Sequence, residues 1–223
     1  MSSAAPGRIR HAVVLAHPDP NSFNATIART YCDTVQGAGQ EVILRDLYAM
    51  NFDPVLRNEE RPDRKEVMLA PDVQTELDML SGTNVVTFVF PIWFGMPPAM
   101  LVGYIDRVLG AGTTVRQVQD RSAEGPLGKG RLCAITTSGA PADWLEAQGQ
   151  TGALRELAGT YLFRAFSMRS NEVLHIGDVV EGASSAFIED NLQRVRTRAA
   201  SICARVRQEL YGTPLPPQLG DGS

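Results

Sequence analysis

The chain has 223 residues, 43% hydrophobic and 21% charged, with a formal net charge of −4. That is enough for one core-forming domain, and it excludes both wholesale disorder and the basic footprint of a nucleic-acid binder. Cys32, Cys133 and Cys203 are far apart and make no CxxC pair, which excludes a disulfide scaffold and a cysteine-rich zinc site and fits a reducing, cytoplasmic setting.

The polar opening MSSAAPGRIR has no apolar run of signal-peptide length behind it. Residues 11–16 (HAVVLA) read as a buried strand. Asn21 or Ser22 can cap the next segment, where Phe23, Ile27, Tyr31 and Val35 recur on one helix face until Gly37 and Gly39 end it. Residues 41–46 (EVILRD) form a second strand. Residues 57–66 carry eight charges in ten positions, which reads as a solvated loop. Pro71 opens a helix with Val73, Leu77 and Leu80 on its apolar stripe. Residues 84–90 (NVVTFVF) are continuously apolar, as in a parallel strand buried on both faces.

A helix is expected over 99–109, a strand over 131–137, a helical stretch over 145–163 and a strand over 172–176. The last helix, 186–210, carries Ile188, Leu192, Val195, Ala199, Ile202 and Val206 on one face. Strand and helix alternate five times. This predicts an α/β fold, a doubly wound five-stranded parallel sheet of order 2-1-3-4-5 with helices on both faces. One domain is expected over 8–211, with flexible tails at 1–7 and 212–223. No apolar stretch approaches the roughly 20 residues of a membrane span, so no membrane insertion is expected.

Three loops stand out, and they follow strands 1, 3 and 4. The predicted order makes these strands neighbours, so the loops share the carboxyl rim of the sheet. In AHPDPNSFN (16–24), Asn21, Ser22 and Asn24 sit where a helix begins. They can cap the helix, or they can receive a phosphate there, provided Asp19 faces away. In FPIWFGMPPAML (90–101), Trp93 and Phe94 can wall a planar ligand or pack under the loop. In TTSGAP (136–141), Thr136, Thr137 and Ser138 offer hydroxyl and N–H donors around a small-residue turn, or simply make the turn.

Other chemistries lack their residues. GPLGKG (125–130) has no Ser or Thr after Lys129 and precedes a strand, so it is not a P-loop. GxGxxG after strand 1, HExxH and GxSxG are absent. His11, His17 and His175 lie on different elements, so no metal site is expected. His11 reads as structural and His17 as a ligand-contacting group.

AHPDPNSFN, RDLYAMNFDPVL (45–56), FPIWFGMPPAMLVGYIDRVL (90–109) and ITTSGAP (135–141), in this order, resemble the NAD(P)H:quinone oxidoreductases of the flavodoxin-like superfamily. The resemblance runs from about Arg8 to about Ile176. It implies a flavodoxin-like fold, a bound flavin with FAD favoured over FMN, NAD(P)H as electron donor, a quinone-like acceptor and a homodimer. By position it implies that His17, Ser22, Phe23 and Asn24 hold the ribityl and phosphate end. Pro91, Ile92, Trp93 and Phe94 would border the isoalloxazine, and Thr136, Thr137, Ser138 and Gly139 would donate to its pyrimidine side. Trp144 and Gln150 stand where relatives have a catalytic tyrosine and histidine, and neither can act as an acid near neutral pH. Trp93 and Trp144 are the expected walls of the acceptor pocket. The implied activity is two-electron, ping-pong reduction of quinones. The alternatives are azo or nitro reduction at the same site, or a flavodoxin-like accessory subunit of a membrane transporter.

Overall fold

The computed structural model describes residues 8–64, 67–120 and 130–212. The expected tails at 1–7 and 213–223, residues 125–129 of the P-loop-like segment, and residues 65–66 of the charged run lie outside the described residues. Five parallel strands form one sheet: β1 (Arg10–Leu15), β2 (Glu41–Asp46), β3 (Val85–Pro91), β4 (Arg131–Thr137) and β5 (Ser170–Ile176). Their order is β2-β1-β3-β4-β5, as the alternation predicts.

Every residue of β3 and of β4 is buried. Their apolar residues therefore serve two cores, one on each face of the sheet. On one face Val13, Leu15, Val89 and Ile135 pack with Ile27, Tyr31 and Val35 of α1 (Phe23–Gly37) and Val195, Ala199 and Ile202 of α8 (Ser185–Tyr211). On the other, Val14, Phe88, Phe90 and Ala134 pack with Val73 and Leu80 of α2 (Pro71–Leu80) and Leu101 and Tyr104 of α3 (Ala99–Tyr104).

Local signals set the helix starts. Ser22 caps α1, its side chain accepting from the Ala25 N–H at 3.1 Å. Pro71 is the first residue of α2. Two expectations are corrected. The helix expected over 99–109 is α-helical only to Tyr104 and continues as a π-helical turn, Ile105–Leu109. The stretch expected over 145–163 is a broken series: α5 (Ala142–Ala147), α6 (Gln150–Leu154), a π-helical segment Arg155–Tyr161, and α7 (Leu162–Ala165). The break falls at Gly149, whose φ of 75° is left-handed. A short helix, α4 (Val115–Gln119), carries no buried residue and has no apolar periodicity to announce it.

The charged run is not wholly solvated either. Glu60 is buried and accepts from Arg107 Nη2 at 2.8 Å and Nε at 3.1 Å. Arg107, also buried, donates to Asp72 at 2.7 Å and to the Asp53 carbonyl. Its guanidinium carbon lies 5.3 Å from the Phe52 ring centroid. Burial opposes the charge on Arg107, but the bonds to Glu60 and Asp72 outweigh it and raise its pKa. A Cβ at Gly103 would overlap the Pro54 carbonyl oxygen and ring. The two motifs RDLYAMNFDPVL and FPIWFGMPPAMLVGYIDRVL are therefore pressed against each other: Phe52, Asp53 and Pro54 meet Gly103, Tyr104 and Arg107. This contact anchors the helix that leaves the aromatic loop.

Candidate active site

The three loops meet at the carboxyl rim, held together by bonds between groups far apart in sequence. The Ile92 N–H donates to the Thr137 carbonyl at 2.7 Å. The Asn24 amide donates to Thr137 Oγ1 at 2.9 Å, and both residues are buried. His17 and Trp93 rings lie 5.8 Å apart and tilted by 58°.

In the first loop the Asp19 carboxylate accepts from the Asn21 N–H at 2.8 Å, a local turn that occupies it within the loop. The Asp19 N–H donates to His17 Nδ1 at 3.0 Å. The imidazole hydrogen then sits on Nε2, and that atom is left as a donor. Among the described residues the backbone N–H groups of Phe23 and Asn24 have no acceptor. They are the first two positions of a 15-residue helix, where dipole and free donors favour an anion.

In the second loop Trp93 and Met96 exchange backbone bonds of 3.0 and 2.9 Å. The two residues between them, Phe94 and Gly95, have φ of 52° and 79°, the left-handed pair of a tight hairpin turn. For phenylalanine that conformation costs about 1–2 kcal/mol. Its side chain is fully exposed, so no packing repays the strain. The N–H groups of Phe94 and Gly95 have no acceptor among the described residues. A Cβ at Gly95 would come within 2.5 Å of Gln150 Nε2, so Gln150 lies against the hairpin tip. Trp93, Met96 and Trp144 are exposed by 39, 56 and 52%.

In the third loop the hydroxyls turn inward. Thr137 pairs with Asn24, and Thr136 Oγ1 lies 2.8 Å from His175 Nδ1. Ser138 Oγ donates to the Ala140 carbonyl at 2.7 Å and meets His175 Nε2 at 3.1 Å. The N–H groups of Gly139 and Ala140 remain without acceptors among the described residues. A cleft of about 330 Å³ opens beside this loop, lined by Phe90, Ile92, Thr136, Leu145, Leu154 and His175 among others. Trp144 stands outside that lining, half-exposed on α5.

His175 is the site residue that sequence reasoning missed. Its only signal is register: Thr136 and His175 are paired on adjacent strands, and that pairing exists only once the strands are aligned. No three His, Cys, Asp or Glu residues among those described are grouped to hold a metal.

The arrangement offers three pairs of free N–H donors on neighbouring strand ends. These are Phe23 and Asn24, Phe94 and Gly95, and Gly139 and Ala140, each pair without acceptors among the described residues. No helix among the described residues is long and apolar enough to cross a membrane.

Comparison with known proteins agrees. Residues 10–199 match the Flavodoxin_2 family, described as having a flavodoxin-like fold. NAD(P)H dehydrogenase [quinone] 1 of Rattus norvegicus is 32% identical over 84% of this chain and 77% of its own. The NAD(P)H:quinone oxidoreductase from Methanothermobacter marburgensis superposes with a TM-score of 0.74 at 21% identity, over 88% of this chain and 98% of its own. An FMN-dependent NADH-azoreductase from Bacillus anthracis, solved with FMN, superposes with a TM-score of 0.63 at 15% identity, over 87% of this chain and 99% of its own. The four ordered motifs, the 2-1-3-4-5 sheet and these matches converge: the chain belongs to the NAD(P)H:quinone oxidoreductase family of the flavodoxin-like superfamily.

Proposed function

We propose that residues 8–211 act as one flavin-binding domain that reduces quinones with NAD(P)H. The balance is NAD(P)H, a proton and a quinone giving NAD(P)⁺ and a hydroquinone. The carrying observation is the set of unpartnered N–H groups at Phe23, Asn24, Phe94, Gly95, Gly139 and Ala140. When bound, a flavin supplies the hydride chemistry that links the two substrates. The flavin is FMN in place of the FAD that the resemblance implies: the preference for FAD has no support, and the flavin named with a solved neighbour is FMN.

The chain's own residues bind and orient. The Phe23 and Asn24 amides receive the phosphate on the positive end of α1, with Ser22 capping the helix. His17 Nε2 would serve the ribityl side as a donor. Pro91, Ile92, Trp93 and Phe94 would border the ring, and the N–H groups of Phe94 and Gly95 would donate to it. Gly139 and Ala140 would donate on the pyrimidine side. Thr136, Thr137 and Ser138 serve that edge by fixing the turn, since their hydroxyls are bonded within the chain. Donors held in place before reaction stabilise the negative charge that develops there. Trp144 and Gln150 offer a flat apolar face and an amide. Neither releases a proton near neutral pH. The unpaired thiols of Cys32, Cys133 and Cys203 accord with a reducing cytoplasm.

Heat release from purified protein should yield one FMN per chain, identified by absorbance and mass. Steady-state kinetics with NAD(P)H and a benzoquinone should give parallel double-reciprocal lines, because both substrates use one place beside Trp93. Protein that stays colourless after incubation with FMN and FAD would refute the reading, and intersecting lines would refute the shared place. Azo compounds are flat acceptors for the same surface, and their kcat/KM relative to quinones ranks the two. An accessory subunit would instead show slow NAD(P)H turnover.

Trp144 tests the acceptor wall. Its indole is half-exposed, so truncation removes contact area rather than core. Trp144→Ala should lower kcat/KM for quinone about tenfold, or about 1.4 kcal/mol of transition-state binding. Flavin content and melting temperature should hold. A lower melting temperature with unchanged kinetics would assign Trp144 to packing.

The same aromatic rim supports a homodimer. Trp93, Phe94 and Met96 leave large apolar side chains exposed on one loop, and such a cluster marks an interface or a ligand groove. Light scattering at micromolar concentration should give twice the chain mass, and a monomer would reject the assignment.

A further inference from the structure

His175 has no part in the implied family site, yet its ring joins two residues of the third loop. The direction of each bond follows from the hydrogens available. Ser138 Oγ has one hydrogen, and it donates that to the Ala140 carbonyl at 2.7 Å. Toward His175 Nε2, 3.1 Å away, Ser138 Oγ can then only accept. Nε2 therefore carries the imidazole hydrogen. In the neutral ring Nδ1 is the acceptor, and the Thr136 hydroxyl at 2.8 Å donates to it. A one-way chain results, from Thr136 through His175 and Ser138 to the Ala140 carbonyl.

The surroundings keep the ring neutral. Burial comes first, and the cation of Arg194 comes second; both lower the His175 pKa. Arg194, on α8, also donates to the His175 carbonyl at 3.3 Å. Arg155 lines the same cleft as His175 and adds a second cation. Glu172, on the same strand, is paired with Arg198 and Arg205. The turn is also braced from two other sides: the Ser138 N–H donates to the Ile176 carbonyl, the Val179 N–H to the Ser138 carbonyl and the Asp178 N–H to the Ala140 carbonyl, while Ile92 and Asn24 hold Thr137.

We propose that His175 is a positioning residue for the flavin: as the neutral Nε2–H tautomer it holds the turn at 136–140 so that the Gly139 and Ala140 N–H groups stay aimed outward as donors. The proposal rests on the flavin reading above and names a residue of that site. It acts through Ser138 and Thr136, not by touching the ring itself.

The test uses the full chain and FMN. Long-range ¹H–¹⁵N spectra of the flavin-free protein should show His175 as the Nε2–H tautomer at neutral pH. His175→Leu fills the space but leaves the Thr136 hydroxyl without its acceptor and Ser138 Oγ without the donated Nε2–H, and the Kd for FMN should rise about tenfold or more. His175→Gln restores one acceptor and one donor at nearly the imidazole spacing, and should recover most of the affinity. If the leucine variant does not fold, His175→Asn replaces it; its shorter amide cannot serve both hydroxyls, so affinity should still fall. Melting temperatures of all variants separate loss of fold from loss of aim. The proposal is overturned by an Nδ1–H tautomer, by a leucine or asparagine variant that binds FMN as the wild type does, or by a glutamine variant as weak as leucine. Wild-type protein that binds no flavin at all defeats the flavin reading, and the proposal with it. Wild-type binding with an unaffected leucine variant defeats the proposal alone.

Discussion

Arg107→Leu is expected to destabilise the protein by about 3–5 kcal/mol, the usual cost of removing one partner from a buried ion pair. The Glu60 side chain is 3% exposed, so water cannot replace the guanidinium. Asp72 is 44% exposed on its side chain and can be resolvated, so Glu60 accounts for most of the effect. The carbonyl of Asp53 also loses its donor. Removing both charges, in Arg107→Leu with Glu60→Leu, should recover most of the loss, because no uncompensated carboxylate remains. Urea unfolding of wild type, both single variants and the double variant measures this. A loss under about 1 kcal/mol for Arg107→Leu would show that Glu60 finds solvent in the folded state. The functional consequence follows from position. Arg107 lies on the turn that continues α3, and α3 follows directly from the aromatic loop, so a loosened anchor should weaken flavin binding as well.

Acid should expose a second buried group. His11 is fully buried on β1, with Nε2 donating to Gln40 Oε1 at 2.9 Å and Nδ1 accepting from the Tyr31 hydroxyl at 3.2 Å. The Gln40 amide donates onward to the Cys203 carbonyl at 2.9 Å, which fixes which end of Gln40 faces the ring. Burial pushes the His11 pKa down to about 4 from 6.5, against the smaller opposing effect of the Gln40 bond. The unfolded chain therefore takes up a proton below pH 6.5 that the folded protein refuses until about pH 4. Stability is intact above the unfolded value and falls as pH drops through this window, by up to about 3 kcal/mol. His11→Asn cannot titrate. Although less stable at neutral pH, it should lose about 3 kcal/mol less than wild type between pH 7 and pH 4. Equal losses in the two proteins would show that His11 is charged, or solvated, in the folded state.

Much of the architecture was legible in the sequence because its causes are local. A central parallel strand is buried on both faces, so β3 announces itself as a nearly continuous apolar run. Ser22 and Pro71 mark helix starts because capping and a fixed φ act within one turn. The five-fold alternation restricts the sheet to few orders, and the order places the three donor-rich loops at one rim. The ordered motifs pointed to the family.

Tertiary structure decided the rest, since its causes join residues distant in sequence. Glu60 sits within a charged run that reads as solvated, and the guanidinium of Arg107, 47 residues later, offsets its burial together with the Arg57 N–H. The side-chain amide of Asn24, a residue read as a ligand contact, pairs with Thr137 across 113 residues. The hydroxyls of Thr136 and Ser138 read as ligand contacts but face His175, which strand register alone brings beside them. The sequence by itself determined the five strands, their order and the rim that the three loops share, because propensity, capping and apolar patterning act over a few residues. Which donors at that rim stay free, and which are tied up within the chain, was settled only by the fold, because a polar group's last hydrogen bond depends on whatever neighbour packing brings within about 3 Å.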